Sequence, residues 1–303
     1  MNELSTARHP SPYLLLVLTT LFWSGNFVLG RAVHAVFTPF ALSFWRWALA
    51  LALLLPFVWS SLRAQGPLLR RQWPILLLLS VLGVVNFNTF VYIGLQKTTA
   101  TNALIMLSIT PVLIVGLSFL LLRQTVTAWQ ASGIVISLAG VLVIVARGDW
   151  RALLARQINP GDLWVLAAVL SWALYSVCLR WRPAELKALN FQAATMLFGT
   201  LILAPLYGWD LLQGHTIAVN TATVGTVLYL ALFPSILAYI FWNRAVAELG
   251  ANRTGQFLHL MPAFGAVLSM IFLGERLYAF HAAGIALIAL GIWLATAYGR
   301  RSA

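Results

Sequence analysis

Charge is scarce in this chain, and most of what there is has one sign. Only 9% of its 303 residues are charged, with 19 Lys and Arg against seven Asp and Glu. The seven acids are Glu3, Asp149, Asp162, Glu185, Asp210, Glu248 and Glu275, and all fall in loops or near the ends of long apolar runs. No carboxylate is available deep within a run. A single cysteine, Cys178, excludes an intrachain disulfide and any CxxC metal site. Set in an apolar run, it reads as a small buried hydrophobe. There is no HExxH, no pair of carboxylates within apolar runs and no deep Cys/His pair, so the residue sets that an intramembrane enzyme or a metal centre would need are missing. The formal charge of +12 is spread between apolar runs and does not gather into the basic stripe that binds nucleic acid.

What the chain has in excess is apolar surface. It is 61% hydrophobic with a mean hydropathy of +0.88, more than a soluble domain of this length can bury. Its 13 Trp suit a membrane protein, since indole rings favour the headgroup region. At about 20 residues per crossing, helices are predicted at 12–32, 39–61, 73–95, 101–122, 128–146, 161–181, 190–209, 223–243, 253–273 and 280–298. The run from Tyr13 onward is too long for a signal-peptide core and no small-residue cleavage site follows it, so it is expected to remain as the first span. Pro39 and Pro74 sit in first turns, where a missing N–H does no harm.

Two stretches of the chain repeat at a spacing of about 150 residues. Pro111, Gly133 and Gly140 correspond to Pro262, Gly284 and Gly291, and upstream Trp23, Arg31 and Asn102 correspond to Trp172, Arg180 and Asn252. Five crossings per copy bring the second copy in from the opposite side. The expected architecture is an all-α polytopic membrane protein of ten transmembrane helices in two inverted five-helix repeats, 1–150 and 151–303, as in many secondary transporters.

Several motifs together resemble a known family. They are Leu21-Phe22-Trp23-Ser24-Gly25-Asn26-Phe27, Phe44-Trp45-Arg46, and Leu258-His259-Leu260-Met261-Pro262 leading to Leu273-Gly274-Glu275-Arg276. The pattern resembles the drug/metabolite transporter superfamily in its ten-helix EamA-type branch, and within it the chain is similar to exporters of amino acids, including aromatic amino acid exporters of the YddG type. The resemblance implies a central cavity lined by the first four helices of each half, with the last helix of each half peripheral or at a subunit contact. One departure is Gln124, which stands where the second half has Glu275. Small multidrug antiporters of the superfamily exchange protons through a mid-membrane carboxylate, so their mechanism is disfavoured here.

Polar side chains deep in a membrane are costly unless they face the bundle interior, which makes them candidates for a substrate path. Trp23 and Asn26 lie a turn apart on the first span, with Trp172 and Tyr175 as counterparts. Asn88 and Tyr92 share a face of the third span, and Tyr239 and Asn243 share one of the eighth. Ser108 and His259 each stand three residues before a span's proline, where a carbonyl is released from the helix ladder. Packing bulk for the Trp residues and interhelical hydrogen bonds for the amides are the plainer alternatives. For His259 a neutral, hydrogen-bonded ring is preferred to a proton carrier. Arg46 is expected to snorkel to the interface, with contact to a substrate carboxylate as its alternative.

The sequence thus points to a bacterial-type inner-membrane transporter that exports amino acids and related small metabolites by alternating access, is not obligatorily proton-coupled, and needs no cofactor. A drug or nucleotide-sugar carrier is the alternative within transport, although phosphorylated substrates call for more cavity cations than Arg46 alone. Orientation follows the basic residues. Arg8, Arg63, Arg70, Arg71, Arg123, Arg180, Arg182, Lys187, Arg244, Arg253, Arg300 and Arg301 fall on the side of the termini, against Arg31, Lys97, Arg147, Arg151, Arg156 and Arg276 opposite. Both termini are therefore expected in the cytoplasm. A reporter that works only in the periplasm, fused after Ala303, is expected to be silent; an active fusion reverses the topology.

Overall fold

The computed structural model describes residues 10–146, 159–273 and 278–297. The Arg147/Arg151/Arg156 cluster, the Glu275-Arg276 turn and both termini lie outside the described residues. Within them the regular structure is helical, as a lipid-facing backbone requires, because a helix satisfies its own N–H and C=O groups without water.

Among the described residues, seven helices are long and apolar enough to cross a membrane. They are α1 (Pro12–Ala32), α2 (Pro39–Ala64), α3 (Trp73–Lys97), α7 (Pro160–Trp181), α8 (Ala188–Leu212), α9 (Thr221–Leu249) and α11 (Ala279–Ala297). Between α3 and α7 lie α4 (Ala100–Leu107), α5 (Thr110–Leu122) and α6 (Ala128–Ala146), and α10 (Leu260–Leu273) precedes α11. Helix starts are written in the sequence. Ser11 and Thr38 cap α1 and α2, each followed by a proline. Asn159 with Asp162, and Asn220 with Thr223, form capping boxes on α7 and α9.

The fourth predicted span is not one rod. It breaks into α4 and α5 before Pro111, and Thr110 Oγ1 takes up the freed Leu107 carbonyl at 2.5 Å. The matching stretch before α10 is likewise broken, into a short helix Ala251–Gly255 and a 3-10 turn Gln256–His259. A second paired irregularity lies in α3 and α9, which each contain a π-helical segment, Val81–Asn86 and Ala231–Leu237. Such segments leave carbonyls off the regular ladder. Asn88 Nδ2 caps two of them, Gly83 O and Val84 O, at 3.1 Å each.

Packing crosses between the two sequence copies. α1 packs on α9 and α7 on α3, α1 on α10 and α7 on α5, α2 on α8, and α6 on α11. The buried core therefore sits between the copies. The α6–α11 contact places the last helix of one copy against that of the other within a single chain, and it is made by glycines. A methyl group built on Gly140 would lie 2.6 Å from the Gly284 carbonyl oxygen, and one on Gly291 2.5 Å from that of Gly133. Gly133 faces Gly291 while Gly140 faces Gly284, so the two helices run antiparallel.

Gly140→Ala is accordingly expected to destabilise the protein in detergent by about 1–3 kcal/mol through overpacking. Gly116→Ala, which meets open space, is the control and should leave stability unchanged or raise it. Equal thermal midpoints for the two variants would remove the glycine contact as a determinant of the fold.

Candidate functional site

At the centre, rings from four helices meet. Trp23 of α1 lies 4.9 Å from Trp172 of α7 and 5.2 Å from Trp242 of α9, ring centre to ring centre. Tyr239 of α9 lies 5.3 Å from Trp172 and 5.0 Å edge-on from Trp47 of α2, and Tyr175 of α7 lies 4.9 Å from Trp172. Helical spacing explains the convergence: Trp23/Asn26, Trp172/Tyr175 and Tyr239/Trp242 are each three apart, so each helix offers two side chains on one face. All of these rings are buried.

Hydrogen bonds join the rings to amides and to one cation. Arg46 of α2 is buried, 1% exposed, and does not snorkel. Its Nε donates to Ser235 Oγ at 2.7 Å, and its Nη1 donates to Asn26 Oδ1 at 3.0 Å and to the Tyr92 hydroxyl at 2.7 Å. The expectation that it reaches the interface is thus corrected. Helix α2 begins at Pro39, which puts Arg46 about 10 Å along the helix at 1.5 Å per residue, and the π-helical segment of α9 presents Ser235 to it. Its guanidinium also lies over the Trp47 ring, 5.1 Å from the centre. No carboxylate among the described residues pairs with it.

The Tyr92 hydroxyl in turn donates to Asn26 Oδ1 at 2.8 Å. The same bond recurs in the other copy with the residue types exchanged, since Tyr175 donates to Asn243 Oδ1 at 2.8 Å. Tyr175 stands at the position of Asn26, and Asn243 at that of Tyr92. Asn243 continues to Gln192 Oε1 at 3.0 Å. Between the two pairs, Tyr239 donates to the Gly83 carbonyl at 2.5 Å and accepts from Asn88 Nδ2 at 3.2 Å. Trp23 Nε1 donates to Pro234 O at 3.0 Å.

Eight of the ten residues expected to line a path therefore form one connected cluster: Trp23, Asn26, Asn88, Tyr92, Trp172, Tyr175, Tyr239 and Asn243. Ser108 and His259 meet each other elsewhere. His259 Nε2 donates to the Ser108 carbonyl at 2.9 Å and Nδ1 accepts from Ser137 Oγ of α6 at 2.6 Å, which fits a neutral ring. Trp47, Trp242, Ser235 and Gln192 belong to the cluster although sequence reasoning passed over them. For Trp242, the three-residue spacing from Tyr239 was an available signal.

A cavity of about 430 Å³ opens at one end of this cluster, with Asn243 and Ser176 in its wall beside Arg180, Arg182 and Glu248. Desolvation holds the half-buried Arg182 below the ordinary arginine range, partly offset by Tyr175. The described residues hold no grouping of His, Cys, Asp and Glu fit for a metal.

A bundle of apolar helices around a buried polar and aromatic centre defines a multi-pass membrane protein. The sequence profile of the EamA-like transporter family matches residues 10–146 and again residues 159–297, and the chain belongs to that family. It is 26% identical to the uncharacterized transporter YyaM of Bacillus subtilis (strain 168), covering 95% of this chain and 94% of that protein. It is 28% identical over 260 residues to a probable terminal-alkyne amino-acid exporter of Streptantibioticus cattleyicolor, covering 86% and 84%. One solved crystal structure shares the fold at a TM-score of 0.76 and 22% identity, covering 96% of this chain and 98% of that one.

The His259–Ser137 bond should show as coupling. In a cycle of His259→Ala, Ser137→Ala and the double variant, stability in detergent is expected to be non-additive by about 0.5–1.5 kcal/mol. Strict additivity would mean that the bond contributes nothing.

Proposed function

We propose that this transporter exports amino acids, aromatic ones included, and related small metabolites across a bacterial-type cytoplasmic membrane. Its ten crossings form two inverted repeats, 1–150 and 151–303, that rock about the central ring cluster, and both termini are cytoplasmic. The observation that carries the reading is the cluster itself, in which stackable rings and hydrogen-bonding amides from both copies adjoin. Such a surface suits a substrate with a polar backbone and a variable, often aromatic, side chain. The antiparallel α6–α11 contact, the paired π-helical segments and the Tyr–Asn bond with exchanged partners support the inverted repeat. The named exporter among the relatives supports the substrate class.

Transport in this reading is facilitated and not obligatorily coupled to protons. Both ring nitrogens of His259 are engaged, and the acids of the sequence lie away from the centres of the spans. Trp23, Asn26, Asn88, Tyr92, Trp172, Tyr175, Tyr239 and Asn243 line the path, while Ser108 and His259 brace the broken helices beside it. A nucleotide-sugar or other phosphorylated cargo would call for several cations, and the ring cluster contains Arg46 alone.

The test is counterflow of a labelled amino-acid panel in liposomes holding the purified protein. Tyr239→Ala is expected to weaken transport of aromatic substrates more than that of alanine, by about 0.5–1.5 kcal/mol, the value of a lost ring contact. Collapsing the pH gradient should leave counterflow unchanged. Equal loss for every substrate would give Tyr239 a packing role, and abolition of counterflow by the collapse would establish proton coupling.

A further inference from the structure

We propose that the ring cluster reads a carboxylate and not an ammonium group, so that its substrates are organic acids with an apolar or aromatic body, amino acids being one case among them. The proposal rests on the transport reading above and narrows it. Its basis is a mismatch between donors and acceptors. Arg46 is buried with its charge unpaired among the described residues, and it bonds to three neutral groups through Nε and Nη1, leaving Nη2 without a protein acceptor. The indole N–H groups of Trp47, Trp172 and Trp242 and the amide Nε2 of Gln192 are buried and likewise lack one. Each of these groups can only donate.

The acceptors nearest Arg46 and Tyr239 in the same cluster are already used. Asn26 Oδ1 takes bonds from Arg46 and Tyr92, and Gly83 O takes bonds from Tyr239 and Asn88, which fills both lone pairs of each oxygen. Pro234 O serves Trp23 and Asn243 Oδ1 serves Tyr175. A substrate carboxylate would answer the spare donors and neutralise the guanidinium, while an ammonium group would meet ring faces, the single lone pairs left on Pro234 O, Asn243 Oδ1 and Gln192 Oε1, and the repulsion of Arg46. A ring or alkyl body has the same indoles to lie against.

Charge movement follows from this. A monoanion leaving the cell is driven by an inside-negative potential, worth about fiftyfold in the equilibrium ratio per 100 mV, whereas a zwitterion is indifferent to it.

The experiment uses purified wild-type protein. Tryptophan fluorescence is titrated with phenylalanine, 3-phenylpropanoate (no ammonium), 2-phenylethylamine (no carboxylate) and phenylalaninamide, and liposome flux of labelled 3-phenylpropanoate is followed under an imposed potassium-diffusion potential. We expect 3-phenylpropanoate to bind within about tenfold of phenylalanine, the amine and the amide to bind at least about tenfold more weakly, and the flux to follow the potential. Arg46→Gln should weaken both acids by about tenfold or more and, by removing the repulsion, tighten the amine, with Arg46→Lys intermediate for the acids. If these variants do not fold, the ligand panel on the wild type decides alone. Amine or amide binding as tight as the acids, with water serving the spare donors, overturns the inference and leaves amino-acid export standing. Bound and transported 3-phenylpropanoate with no phenylalanine transport overturns amino-acid export and supports the inference. No binding of any of the four overturns both.

Discussion

Hydrocarbon offers no water to a polar group, and in this protein several deep polar side chains find a partner on a different helix. Trp23 reaches the Pro234 carbonyl, Ser24 reaches Met261 O at 3.0 Å, and Tyr239 reaches Gly83 O, each bond running between the two sequence copies. Two of the three acceptors, Pro234 O and Gly83 O, lie in the π-helical segments, where carbonyls leave the regular ladder. Irregular backbone, whether the π-helical segment of α9 or the break ahead of α10, is what makes the halves adhesive at their centre. The cost of a broken ladder is offset by bonds from the other half, in keeping with the rule that non-helical backbone at membrane depth survives only where protein covers it.

Much of this was legible in the sequence, for reasons tied to particular residues. Proline and capping residues mark where α1, α2, α7 and α9 begin, and the glycines read as a repeat, 133 with 284 and 140 with 291, fall on the two helices that pack on one another. The eight clustered site residues were found because a polar group at that depth must face inward. The interruptions within spans were not legible. Nothing in Val81–Asn86 demands a π-helical segment; in the structure Tyr175 packs on it so closely that a methyl group on Gly83 would lie 2.6 Å from its ring. That is a tertiary contact between residues far apart in the chain.

Arg46 was misjudged for a related reason. A side chain about 10 Å along a helix is long enough to reach headgroups, and local reasoning cannot see what competes for it. In the structure the competitors are Asn26, Tyr92 and Ser235 from three helices and the Trp47 ring beside it. His259 is the converse case. A lone histidine within a span invites a role in chemistry, yet a hydroxyl and a carbonyl fully satisfy its two nitrogens, and it ties α6 to the break before α10.

The two copies share a frame but differ in charge at the centre. The Tyr–Asn bond between the first and third helices of each copy is kept with its members exchanged, the π-helical segments match, and Pro56 and Pro205 interrupt α2 and α8 at corresponding points. At the offset of those prolines, Arg46 corresponds to Thr195, so the cation belongs to one copy only. The near-symmetric frame supplies two similar walls, while the single guanidinium makes their charge unequal, with Asn243 in the wall of the open cavity and Arg46 buried away from it. A ligand entering from the cavity would meet amides and rings before it met the charge. The strongest attraction for an anion therefore lies at the far end of that approach, beyond the amides and rings.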